Sequence, residues 1–281
     1  MELKNWQLNR GGMGQRLLRW INLRPEESER TLLMFAFYTA TSVGVLWLEA
    51  ITVGLFVDRY GAESIPFIYI VGAGIGSGLG FLYSWLQNVL PMRRAIVFIA
   101  ILMAVPLLGF RVGLGATSLV SVTVFIMRLW VDGVYLLNDL NTSISAKQLF
   151  TIREIKRTYP LISSGILVAD VVSGFSLPWL ITVLGLQNVL IAAALMMVCG
   201  ACILFYLTES YKQAFPDSNM RASEENSTDF TSRRLQGPMR NYVVPLVIFF
   251  ILVEVLNVLI DFQFIVELEQ QFAGPDTASA I

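Results

Sequence analysis

The sequence predicts an all-α integral membrane protein: a six-helix transmembrane bundle followed by a seventh membrane helix, with the N-terminus cytoplasmic. Three observations predict it. Of 281 residues, 55% are apolar and only 15% charged, where a soluble domain carries about a quarter charged residues. Apolar runs close to the roughly 20 residues that span a hydrocarbon core of about 30 Å recur seven times. Lys and Arg concentrate in alternate connections between those runs. The runs are uniformly apolar rather than alternating, so they read as helices, which satisfy their own backbone in lipid, and not as barrel strands.

The first run, Thr31–Val57, follows a polar and basic segment, residues 1–30. Within that segment Leu17–Leu23 mixes arginines and a tryptophan with leucines, as an interfacial turn does. Pro25 ahead of Glu26 and Glu27 suits a helix start, and no cleavable leader is expected. The second run, Ile65–Leu86, carries Gly72, Gly76 and Gly80 at four-residue spacing, which predicts a face for close helix contact. Ser77 and Leu79 break a dinucleotide-binding spacing there, and no βαβ unit surrounds it. The third run, Ala95–Phe110, is the weakest, being short and holding Pro106. The fourth, Ser118–Leu137, and the fifth, Pro160–Leu184, flank a basic connection. The sixth, Val189–Leu207, contains Cys199-Gly-Ala-Cys202, read as two small core residues because no further ligand or redox fold accompanies them. Thr208–Arg240 is polar and has the composition of a flexible linker. The seventh run is Tyr242–Phe262. The predicted units are therefore residues 1–30, 31–207, 208–240 and 241–281.

Seventeen basic residues fall on one side of these runs; Arg59 and Arg111 fall on the other, and Arg128 lies inside the fourth run. The positive-inside rule then places the N-terminus in the cytoplasm, in a bacterial inner membrane or an equivalent energised membrane. Six helices, a long cytoplasmic loop and a further helix is the layout of the major facilitator superfamily. On that layout a second set of helices, or a fused soluble domain, is expected as a partner beyond residue 281.

Several functions are disfavoured at once. Histidine is absent, which removes Ser-His-Asp and Cys-His catalysis and every His-ligated metal site. No serine or cysteine sits beside a positioned base, so no catalytic residue, metal or cofactor is expected and the protein does not read as an enzyme. A net charge of −1 leaves no basic surplus for nucleic acid. The expected partners are the lipid bilayer and a small-molecule substrate.

An ionisable side chain inside a bilayer costs at least ~2.5–3.5 kcal/mol, so each one needs a reason. Glu49 lies in the first run, Arg128 and Asp132 in the fourth, Asp170 in the fifth and Glu254 in the seventh; Asp139 and Asp261 lie near predicted helix ends. Arg128, Asp132, Tyr135 and Asp139 are spaced to share one helix face. That face is either an ion pair that lets the helix insert or a charged stripe on a central aqueous cavity. Tyr38, Thr41, Ser42, Glu49 and Thr52 form a polar stripe on the first run, and Ser163, Asp170, Ser173 and Gly174 one on the fifth. Glu254, Asn257 and Asp261 repeat the pattern on the seventh.

The connection before the fifth run reads Phe150-Thr-Ile-Arg-Glu-Ile-Lys-Arg-Thr-Tyr-Pro-Leu-Ile-Ser-Ser-Gly165, with Pro160 opening the next helix. Glu154, Lys156, Arg157, Tyr159, Pro160, Leu161 and Gly165 resemble the segment at the same place in the non-mitochondrial ATP/ADP translocases, the nucleotide exchangers of plastids and intracellular bacteria. Asn138-Asp139 also resembles that family's exit from its fourth helix, and the whole chain is similar in layout to its first half plus the seventh helix. The resemblance implies a secondary transporter that exchanges nucleotides by alternating access. Ile155 stands where the family has alanine. Between Arg30 and Arg59 the chain has no Lys or Arg to meet phosphates, and the intramembrane acids exceed Arg128 by four charges, which disfavours a tri- or tetra-anion. A transporter-fold scaffold that carries nothing is the other expectation.

Overall fold

The computed structural model describes residues 25–214 and 238–271. Among the described residues it is helical without strands. In chain order come α1 (Pro25–Tyr60), a 3-10 turn (Ala62–Ser64), α2 (Ile65–Val89), α3 (Met92–Gly115) and α4 (Val120–Leu149). After these follow α5 (Ile152–Ser163), α6 (Gly165–Leu184), α7 (Leu186–Ser210), a 3-10 turn (Lys212–Ala214) and α8 (Pro238–Gln271). Among the described residues, seven segments are long and apolar enough to cross a membrane, with α5 and α6 forming one of them. The interfacial stretch Leu17–Leu23 and most of the linker, residues 215–237, lie outside the described residues.

Most helices outrun their apolar stretches, because charged and polar residues at the ends reach the polar zone while the backbone stays hydrogen-bonded. The third is not the weak one expected. α3 runs unbroken through Pro106, whose ring leaves only the Leu102 carbonyl without its usual donor. The fourth differs most: α4 continues past Asn138-Asp139 to Leu149, so that pair is not a helix exit. The fifth run divides. Thr151 and Glu154 form a capping box that starts α5 early, with the Glu154 carboxylate accepting the Thr151 backbone N–H at 2.7 Å. Pro160 consequently lies inside α5, and the break before α6 comes at Ser164.

α1 is the central post, packed against α7, α4 and α6, while α3 packs on α7 and α4, and α2 on α4. Lipid tails compete with apolar side chains, so close backbone approach carries much of the cohesion in a bilayer. The α1–α7 crossing shows it. A Cβ on Gly44 would sit 2.8 Å from the Ala193 backbone oxygen, and one on Gly200 would strike the Thr41 methyl. Gly44→Val should lower the unfolding free energy by about 1–3 kcal/mol, as overpacking does; an unchanged melting temperature in detergent would show that the two helices separate at no cost.

Two apolar cores result. The larger joins Val43–Val57 of α1 to α3, α4, α6 and α7; the smaller gathers Met34, Phe37, Ile96, Leu149, Ile162 and Leu204. The glycine stripe of α2 plays a narrower part than its spacing suggests. Gly72 abuts Asp132 and Gly76 touches Leu136, but Gly74, Gly78 and Gly80 face no atom within 4 Å. Cys199 and Cys202 are exposed rather than core residues, because Met197, Gly200, Ala201 and Leu204 form the buried face of α7.

Candidate functional site

A layer of polar side chains runs from the buried Arg128 to the exposed Asp139. Its backbone is α4. Arg128 is buried and donates to Asp132 at 2.7 Å, with its guanidinium 5.8 Å from the Tyr69 ring centre on α2. One turn along, the Tyr135 hydroxyl donates to the Glu49 carboxylate of α1. A further turn along, the Tyr38 hydroxyl of α1 donates to Asp139 at 2.8 Å. Arg128, Asp132, Tyr135 and Asp139 thus share a face, and from Tyr135 onward that face is matched, group for group, by α1. The Arg128–Asp132 ion pair of the sequence reading is formed, and the same face of α4 runs on to Asp139.

Around this line stand the remaining charges. Glu49 lies in the electrostatic field of Arg128, Asp132 and Asp261. Asp170 of α6 acts on Tyr38 and Tyr135 in the same way. Arg128 is buried and Glu49 and Asp132 are partly buried beside it, whereas Asp139, Asp170 and Asp261 are exposed. Glu254 is set apart. α8 meets the bundle near its C-terminal part, at the Ala62–Ser64 turn, and Ile265 is its buried residue. Glu254 lies about 16 Å back along the helix axis and is exposed, as is Asn257.

The predicted polar stripe of α1 divides between two neighbours. Tyr38, Ser42 and Glu49 face α4, where Asn138 donates to the Ser42 hydroxyl at 3.2 Å. Thr41 turns to α7 and donates to α1's own carbonyls, as Thr52 does. On α6, Ser173 donates to the Asp170 carbonyl at 3.1 Å, and Ser176 accepts the Trp47 indole N–H at 3.1 Å.

Sequence reasoning missed the other half of the layer. Asn138, Asn141, Thr142 and Ser145 are all buried on α4. Asn141 donates to the Ile96 carbonyl at 3.2 Å. The Asn138 amide oxygen and the Thr142 and Ser145 hydroxyls are buried without a hydrogen-bond partner among the described residues. Polar atoms so placed suit bound water. Their 4- and 3-residue spacing was the available signal, concealed because this stretch read as a connection.

The motif before the fifth run ties one end of the bundle together. Arg157 of α5 pairs with the buried Glu27 of α1. Arg30 of α1 donates to the Leu149 carbonyl at 2.9 Å, stands 3.6 Å from Glu154 and stacks on Phe150 and Tyr211. Lys156 and Pro160 are exposed, and Tyr159 is half-buried. No group of three or more acidic or cysteine side chains able to hold a metal occurs among the described residues.

Comparison with protein-family models, with curated proteins and with solved structures finds no match for this chain.

Proposed function

We propose that the chain is a multi-pass secondary transporter of the major facilitator type, N-terminus cytoplasmic, working by alternating access in an energised membrane. The observation that carries this reading is the pairing of α1 with α4 through Tyr135–Glu49 and Tyr38–Asp139, beside the Arg128–Asp132 pair. A bundle that needed only to stand in lipid would be cheaper to insert without these groups. Carboxylates exchanging partners with tyrosines and one arginine are what a carrier needs to bind a proton or solute and release it on the other side. Glu49 is the proton-carrying group in this scheme, Arg128 holds the neighbouring charge in place, and Asp139 and Asp170 line the route.

The resemblance of residues 150–165 to the ATP/ADP translocases makes nucleotides the first substrates to assay. The acidic balance of the layer favours a neutral or cationic solute over ATP or ADP, since one guanidinium faces several carboxylates. Proteoliposomes loaded with labelled ATP, ADP or phosphate, and in parallel with amino acids and organic cations, separate these readings. Uptake that rises with an imposed proton gradient is expected for at least one class. Inserted protein that moves none of them would leave the non-transporting scaffold.

A further inference from the structure

Where the ends of α3 and α7 meet, a groove of about 450 Å³ opens on the outer surface of the bundle, lined by Arg93, Arg94, Val97, Phe98, Ile101 and Phe205. Its two parts differ in chemistry. Arg93, Glu209 and Lys212 form a chain of ion pairs in which one carboxylate serves two cations, and Arg94 is exposed with no acidic partner among the described residues. Of the two arginines lining the mouth, Arg94 is therefore the one without a carboxylate among the described residues, beside Arg93, which shares Glu209 with Lys212. Below it the wall is apolar: Phe98, Ile101 and Phe205 are each about half exposed.

The spacing along α3 fits an amphiphile. From Arg94 to Ile101 the axis advances about 10 Å, and Val97, Phe98 and Ile101 lie on the face below Arg94 at helical repeats of three and four. We propose that this groove is a binding site for an anionic phospholipid. Its phosphate lies between Arg94 and Arg93, and one acyl chain runs down the Phe98–Ile101–Phe205 wall. Charge complementarity at the mouth selects the headgroup, since juxtamembrane arginines attract anionic lipid. The apolar wall selects a lipid over a free anion. The site is separate from the α1–α4 polar layer and does not depend on transport.

The test is native mass spectrometry of the purified full chain titrated with phosphatidylglycerol or phosphatidylcholine of identical chains. Wild type should retain phosphatidylglycerol at least about five-fold better. Arg94→Gln should remove about that factor, and the Arg93→Gln/Arg94→Gln pair more. Phe98→Asn should weaken retention through the wall alone, while the exposed Arg153→Gln, on α5, should leave it unchanged. Equal retention of the two lipids by wild type, full retention by Arg94→Gln, or displacement of the lipid by millimolar inorganic phosphate would each overturn the proposal.

Discussion

Glu49→Gln should insert and fold, yet hold uptake below about a tenth of wild type and uncouple it from the proton gradient. The amide keeps the size of the side chain and still accepts the Tyr135 hydroxyl, so the α1–α4 contact persists. What disappears is the ability to take up and give back a proton. Tyr135→Phe complements it: the carboxylate stays but loses its donor, and transport should slow rather than stop. Wild-type uptake by Glu49→Gln in liposomes holding equal amounts of protein would remove the carboxylate from the mechanism.

Arg128→Ala should be the most destabilising single change in the layer, by about 1–3 kcal/mol, less than for a fully buried pair because 30% of the Asp132 side chain stays exposed. Removing one partner of a buried pair strands the other. Here it strands Asp132, which lies against Gly72 of α2 with no room to turn away on that side, and removes the positive charge whose field acts on Glu49. Arg128→Ala/Asp132→Ala should recover much of the loss, because the pair then leaves together. Reversible unfolding in mixed micelles across the four proteins gives the coupling. A double variant no more stable than Arg128→Ala would mean that the arginine acts through Tyr69 or Glu49 instead.

The helices were legible because length and apolarity are one-dimensional properties, and the bilayer fixes the threshold for both. Their ends were not. α4 extends 12 residues beyond its predicted end at Leu137, since Asn138, Asn141, Thr142 and Ser145 look like loop composition until Asn138 is seen to meet Ser42 of α1 and Asn141 the Ile96 carbonyl of α3. The α4 face of Arg128, Asp132, Tyr135 and Asp139 was readable from spacing; Tyr38 as the mate of Asp139 was not, because 101 residues separate them. Glu254 shows the opposite limit. Its spacing to Asp261 suggested a shared role, but only tertiary contact could show that α8 approaches the bundle at one end. Pro160 marked a boundary in the right region, and the capping box upstream, not the proline, decided where the helix broke.

Trp47 offers an optical gauge. Its indole is almost wholly enclosed and bonded to Ser176, a residue 129 positions later on another helix. Parting α1 from α6 breaks that bond and wets the ring, so its fluorescence would shift to longer wavelength. A variant retaining Trp47 as its sole fluorophore would report that separation directly, in the membrane and without a label.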